Sequence, residues 1–138
     1  MSIANPLNIC CIDHIVIRVR NLEPMIAFYC EVLGCRLERG PGEAKLAQLR
    51  AGHSLIDLID AEGELGRQRG KPPDHSAPNV DHVCLQVKPW DTDAIRTHLQ
   101  QHEVEAGDVV PRYGALGMGP SLYFSDPEGN IIELKSSP

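Results

Sequence analysis

The sequence predicts an α+β fold built from two β-α-β-β-β modules, and two recurring patterns predict it. Ile12-Asp13-His14-Ile15-Val16-Ile17-Arg18-Val19-Arg20 returns 68 positions later as Val80-Asp81-His82-Val83-Cys84-Leu85-Gln86-Val87-Lys88. Apolar, acidic, histidine and basic positions keep the same order, and such a repeat marks duplicated structural units. Ser54-Leu55-Ile56-Asp57-Leu58-Ile59 is likewise echoed by Asn130-Ile131-Ile132-Glu133-Leu134-Lys135, acid over acid. In a strand, alternate residues share a face. His14, Val16 and Arg18 therefore lie opposite Ile15, Ile17 and Val19, and His82, Cys84 and Gln86 opposite Val83, Leu85 and Val87. Two such modules about a pseudo-two-fold could bring two imidazoles and two carboxylates to one place.

The elements follow in order. After the first histidine strand, Asn21-Leu22-Glu23-Pro24 supplies a cap and a proline where a missing N–H matters least. The spacing predicts a helix through Met25–Leu33, with Ile26, Tyr29 and Leu33 as its core stripe and Gly34 as its stop. Extended segments follow at Cys35–Arg39, Ala44–Arg50 and His53–Asp60, divided by Gly40-Pro41-Gly42 and Ala51-Gly52. Ala61–Asn79 is polar and rich in glycine and proline, and is expected to be an ordered but irregular linker. In the second half Asp91-Thr92-Asp93 caps a helix through His102, with Ile95 and Leu99 as core contacts. Val104–Ala106 and Ser121–Ser125 are extended candidates, Asp126-Pro127-Glu128-Gly129 is a tight turn and Asn130–Lys135 is the last strand. One domain spanning 1–138 is expected, with modules at about 10–60 and 80–136 and the linker at 61–79.

Composition narrows the partners. The chain has 138 residues, enough to bury roughly two thirds of its unfolded surface. A net charge of −6 without a basic stripe argues against nucleic acid or an anionic membrane and for a small ligand. No run is apolar and long enough to cross a bilayer, and Met1–Ile9 has no signal-peptide pattern, so a cytoplasmic protein is expected. Five cysteines, Cys10, Cys11, Cys30, Cys35 and Cys84, lack CxxC spacing and are expected to be mostly buried thiols in a reducing compartment.

The paired modules, the early histidine in each, Ala27-Phe28-Tyr29-Cys30-Glu31-Val32-Leu33-Gly34 and Tyr123-Phe124-Ser125-Asp126-Pro127-Glu128-Gly129-Asn130-Ile131-Ile132-Glu133-Leu134 together resemble the vicinal oxygen chelate superfamily. That superfamily includes glyoxalase I, methylmalonyl-CoA epimerase, extradiol dioxygenases and the fosfomycin- and bleomycin-resistance proteins. Arg112-Tyr113-Gly114-Ala115-Leu116-Gly117 is similar to the last loop of its small glyoxalase-domain members. The resemblance implies that each module curls into half of an open barrel, the two forming a cup with a metal at its floor. It implies His14, His82 and Glu133 as ligands, with Asp57 where a fourth carboxylate or amide stands. Asp57 is shorter than the usual glutamate there, which leaves direct or water-mediated binding open. Homodimerisation is implied by analogy, with the modules pairing within one chain or across two.

The donor chemistry stands beside the resemblance. Two neutral imidazoles with one or two carboxylates form a mixed N/O set suited to Mn, Fe(II), Co, Ni or Zn, with positions left for a substrate bearing two adjacent oxygens. A lone histidine on a half-exposed strand face is usually structural; two at one repeat position favour ligation. Glu133, between Ile131-Ile132 and Leu134, would be costly as an unpaired inward carboxylate. Glu133 or Asp57 would move the proton in catalysis. Arg18 on the His14 face could meet an anionic substrate or form a rim salt bridge. Arg112 and Tyr113 precede a glycine-rich stretch, Gly114 to Gly119, read as a loop that closes over the cup mouth. With Lys135 these residues hint at an anionic substrate. Asp13 and Asp81 are expected to face away as caps or surface acids, and His53, His75, His98 and His102 to lie on the surface.

Three functions follow. The leading one is a metal-dependent glyoxalase-like lyase or isomerase acting on a small substrate that chelates the metal through adjacent oxygens. An Fe(II) extradiol-type dioxygenase would use the same two histidines and carboxylate. A non-catalytic binding protein of the antibiotic-resistance kind would need no metal.

Overall fold

The computed structural model describes residues 4–138 and contains two open four-stranded sheets and two α-helices. The first module comprises β1 (His14–Val19), α1 (Leu22–Glu31), β2 (Arg36–Arg39), β3 (Leu46–Ala51) and β4 (Ser54–Asp60). The second comprises β5 (Val83–Val87), α2 (Thr92–Gln101), β6 (Val110–Gly114), β7 (Gly117–Ser125) and β8 (Ile131–Ser136). Strand order is β1-β4-β3-β2 in one sheet and β5-β8-β7-β6 in the other. In each sheet the histidine strand lies parallel to the last strand, and the remaining pairs are antiparallel. The predicted α+β architecture of two β-α-β-β-β modules is therefore the observed one, and two unclosed sheets agree with a cup-like arrangement.

Alternation places the core. Ile17 and Val19 of β1, Ile56 and Leu58 of β4 and Leu49 of β3 are buried on one face of the first sheet, with Met25 and Tyr29 of α1 against them. Ile132 and Leu134 of β8, Leu122 and Phe124 of β7 and Leu99 of α2 do the same in the second. All belong to one apolar cluster that crosses the two modules. Helix α1 starts a turn earlier than the spacing predicts, because Pro24 falls within its first turn, where no intrahelical N–H is required. Its stripe is centred on Met25 and Tyr29, with Ile26 and Leu33 only half-buried. Gly34 stops it at φ +73°. Asp91 caps α2 by accepting from Ala94 N–H at 3.0 Å.

The modules are locked by the turn before β8. Tyr29 Oη donates to Asp126 Oδ2 at 2.7 Å, and Asp126 Oδ1 accepts from the backbone of Glu128 and Asn130. Burial and then the Asp126 carboxylate push the Tyr29 phenol far above its ordinary 10.0. Asn21 occupies the cap position of α1 without capping it through its side chain. Instead the Glu128 carboxylate accepts from the Arg20 and Asn21 backbone amides at 2.7 and 2.9 Å.

Several expectations are corrected. Val104–Ala106 is not a strand; the missing strand is β6, and the presumed closing loop at 112–119 is a β6–β7 hairpin. The second module starts this pair at Val110-Pro111, which breaks the alternation a strand normally shows. β3 begins at Leu46 because Lys45 has φ 53°. The linker includes a 3-10 turn at Gly66–Arg69. Cys10, Cys11 and Cys84 are exposed and only Cys35 is buried, so the thiols are mostly not core residues. His98 is exposed, as expected, and its Nε2 lies 2.8 Å from the Val32 carbonyl, which ties α2 to the end of α1. Among the described residues no helix is long and apolar enough to cross a membrane.

Candidate metal centre

The register of the two sheets repeats the same constellation. Val16 pairs with Asp57 across β1 and β4, and Cys84 pairs with Glu133 across β5 and β8. In both modules the carboxylate therefore stands opposite the residue two beyond the histidine, on the face that carries the histidine. The face away from the helices thus holds His14 and Asp57 in one sheet, His82 and Glu133 in the other.

In the second module the pair is made. His82 Nε2 lies 3.3 Å from Glu133 Oε1, while Nδ1 is 2.6 Å from Asp81 Oδ1. Asp81 thus takes one ring nitrogen and leaves the other aimed at Glu133, the usual way a second carboxylate orients a ligand imidazole. Metal–N and metal–O bonds near 2.0–2.2 Å put neighbouring donors about 3.0–3.4 Å apart, so the 3.3 Å separation fits two ligands of one divalent ion. Tyr123, paired with Glu133 across β7 and β8, sets its ring edge-on to His82 with centroids 5.3 Å apart. Desolvation and then the Glu133 carboxylate raise the Tyr123 pKa.

In the first module the parts are present but separate. His14 Nδ1 lies 2.7 Å from Asp13 Oδ1, the same orienting contact. That hydrogen bond raises the His14 pKa above 6.5, desolvation opposes it, and Asp57 adds to the rise. Asp57 is 3% exposed; Oδ2 accepts from Gln48 Nε2 at 3.3 Å, and Oδ1 is buried with no partner. Buried carboxylate oxygens are almost always satisfied. This orphaned oxygen, on the face of His14, fits a cation that supplies the missing contact.

Among the described residues of the one chain, no group of three His, Cys, Asp or Glu side chains is arranged so that it could hold a metal ion. Of His14, Asp57, His82 and Glu133, singled out together by the sequence, His82 and Glu133 are brought together, whereas His14 and Asp57 share one face of the other sheet without contact. Asp13 and Asp81, expected to face away, orient the histidines instead. Both precede their strands, so the alternation that would turn them aside has not yet begun.

The candidate substrate residues divide as well. Arg18 is consumed by the linker, donating to the carbonyls of Gly66, Gly70 and Lys71 at 3.2, 2.9 and 2.8 Å. Arg112 lies on the Glu133 side of its sheet, donating to Ser121 Oγ and O at 2.7 and 3.1 Å and stacking 4.5 Å over the Tyr123 ring. Tyr113 is 81% exposed on the opposite face of β6. The phenol beside the pair is Tyr123, which sequence reasoning missed although it falls in register with Glu133. A cavity of about 170 Å³ lies between the linker and the β7–β8 turn, lined by Arg18, Asp74, His75, Asn79, Asp81 and Glu128.

Comparison with known proteins agrees with this architecture. Residues 11–134 match the family described as Glyoxalase/Bleomycin resistance protein/Dioxygenase superfamily. A glyoxalase domain-containing protein, RDO1 of Mycosarcoma maydis, is 30% identical over 135 residues, covering 94% of this chain and 70% of its own. Virulence protein STM3117 of Salmonella typhimurium is 32% identical over 123 residues, covering 89% of this chain and 81% of its own. The crystal structure of that protein superposes with a TM-score of 0.78 at 27% identity, covering 96% of this chain and 100% of the other. An integron cassette protein from the mobile metagenome of V. Pseudocholerae superposes at 0.79 with 25% identity, covering 96% and 98%.

Proposed function

The chain belongs to the Glyoxalase/Bleomycin resistance protein/Dioxygenase superfamily, and from that premise we propose that it is a divalent-metal-dependent lyase or isomerase of glyoxalase type. It works as a homodimer in which His14 and Asp57 of one copy face His82 and Glu133 of the other. The observation that supports the reading is the His82–Glu133 donor pair at 3.3 Å, with Asp81 holding the second ring nitrogen. The mixed imidazole and carboxylate set accepts Mn, Fe(II), Co, Ni or Zn. When bound there, such an ion would supply Lewis-acid polarisation to a substrate that offers two adjacent oxygens. The protein's own groups do the rest. Asp13 and Asp81 keep one nitrogen of each ring free for ligation. Asp57 Oδ1 has no protein partner and is placed to take a proton from the substrate carbon. Tyr123 stays protonated beside Glu133 and can donate to a substrate oxygen.

Elemental analysis of the untagged protein tests the reading. Near-stoichiometric metal in the wild type that disappears in the His14→Ala/His82→Ala double variant supports it. A wild type that holds no divalent metal after reconstitution refutes it and leaves a metal-free binding protein. Tyr123 beside a two-histidine-one-carboxylate set favours a second reading, an Fe(II) dioxygenase. An oxygen electrode separates the two: the lyase or isomerase works anaerobically, the dioxygenase consumes oxygen.

A further inference from the structure

The second module contains a lysine with a buried stem that neither the fold nor the metal pair requires. Lys135 is 4% exposed, yet among the described residues it has no carboxylate within 4.0 Å and no hydrogen bond. The stem is enclosed while Nζ keeps contact with solvent, so the charge is held at the surface of the sheet with no protein anion against it. The sister module provides the control. Lys135 pairs with Ser121 and stands two beyond Glu133, while Ile59 pairs with Leu46 and stands two beyond Asp57. One module fills the position with an isoleucine and the other with a charge, so the sheet itself has no need of a cation there.

Two glycines on the neighbouring strands make room for the charge. A Cβ at Gly114 would lie 2.9 Å from Lys135 Cε and 3.0 Å from Cδ, and one at Gly119 would lie 3.3 Å from Nζ and collide with Ser136 Oγ. Neither glycine has a positive φ, so backbone conformation does not call for them. They open a trough in which the lysine stem lies across β7 toward β6. Arg112 stands in register with Gly119. Its Nη1 holds Ser121 and its plane covers Tyr123, while Nε and Nη2 have no acceptor among the described residues. In a chain of net charge −6, two cations without an ion pair share one face with Glu133.

We propose that Lys135 and Arg112 form an oxyanion site beside the Glu133 pair, and that the substrate carries a compact carboxylate, phosphate or phosphonate there. The word substrate rests on the metal-dependent reading above; the anion site itself does not. The Arg112 fork offers two donors in one plane, and Lys135 adds a point charge from the sheet floor. An anion lodged between them pairs with both cations and hands the rest of the molecule to the metal pair.

The test uses protein stripped of metal with EDTA and then freed of chelator, so that its outcome is independent of metal content. Inorganic phosphate, methylphosphonate and acetate are titrated calorimetrically in chloride buffer at low and high salt. The wild type is expected to bind at least one of them, more weakly as salt rises. Lys135→Met, which keeps the stem and removes the charge, is expected to weaken binding at least about tenfold and to melt no lower than the wild type. Arg112→Gln should weaken binding similarly and stands in if Lys135→Met does not fold. Tighter phosphate and phosphonate than acetate assigns a tetrahedral anion; the reverse assigns a carboxylate. No anion binding by the wild type, or undiminished binding by both variants, overturns the proposal. So does weaker self-association of Lys135→Met without anion binding, which would make a carboxylate of a second copy the partner. Loss of metal with anion binding retained sinks the enzymatic reading alone.

Discussion

The two modules place histidine and carboxylate in the same register, yet only one of them closes the contact. Glu133 reaches His82 at 3.3 Å, whereas Asp57, one methylene shorter, turns one oxygen to Gln48 and leaves the other bare. Neighbouring positions differ too: on the third strand Gln48 stands where the second module has Tyr123, and on the last strand Ile59 stands where it has Lys135. Duplicated halves have thus divided the work. The second carries a preassembled donor pair and the unpaired cations, while the first offers an oriented imidazole and a carboxylate oxygen with capacity to spare. A side-chain length, with the backbone unchanged, separates a formed pair from an open one.

The largest effect expected comes from breaking the stronger half. His82→Ala should abolish metal retention, read by elemental analysis after dialysis. Asp57→Ala should weaken it on the order of tenfold, and Asp57→Glu, which supplies the missing methylene, should tighten it. Metal retention unchanged in both Asp57 variants would mean that Asp57 does not ligate. Mixing is sharper still. His14→Ala and His82→Ala proteins, each metal-free alone, should regain metal when unfolded and refolded together, because one of the two sites in the mixed dimer keeps both histidines. Failure to regain metal would mean that each site is built within a single chain.

Asymmetry in the connecting turns sets the next effects. The β3–β4 turn of the first module is a short Gly52 reversal, while Asp126 of the second gathers Tyr29, Glu128 and Asn130. Asp126→Ala should cost about 3 kcal/mol in urea unfolding, since it strands several buried donors, and Tyr29→Phe about 1–2 kcal/mol. The alkaline limb carries a sign. Folding holds Tyr29 protonated above its ordinary 10.0, so the unfolded chain sheds a proton the folded one keeps. Stability is complete below pH 10 and falls by about 1.4 kcal/mol per pH unit above it. Tyr29→Phe should remove that slope, and the two stability curves should converge as pH rises.

The smallest effect belongs to the linker. Hydrogen bonds from the Ser76 hydroxyl, then from the Ser76 and Ala77 amides, lower the Asp74 pKa below 3.8 and close the 74–77 turn. Its contribution is present above pH 3.8 and is lost as pH falls through the depressed value. Asp74→Ala should hasten tryptic cleavage after Arg69 at neutral pH while moving the global Tm by less than about 2 °C.

Much of this was legible in the residues. Alternation around His14 and His82, and the echo of Asp57 in Glu133, are one-dimensional signals, and they marked out the parallel strand pair of each sheet, β1 with β4 and β5 with β8. β6 was not legible, because Pro111 and Gly114 disguise a strand whose partner lies across a tight hairpin. The orienting role of Asp13 and Asp81 was hidden for another reason: strand periodicity assigns faces only inside a strand, and these residues stand just outside. Arg18 looked like a substrate group until the linker folded back and took its guanidinium. Tyr123 and Lys135 gain their meaning from cross-strand register, which no local pattern carries.

The Glu128 clamp has a bearing on the order in which the molecule can be built. The Arg20 and Asn21 amides at the start of α1 wait for a carboxylate 107 residues beyond Asn21. At a ribosomal pace of about 5–20 residues per second, the helix start goes unsatisfied for roughly 5–20 s of synthesis. During that time the Tyr29 hydroxyl also lacks the acceptor it has in the finished core. The first half is therefore translated long before it can be completed, and its closure is timed by the last turn of the second.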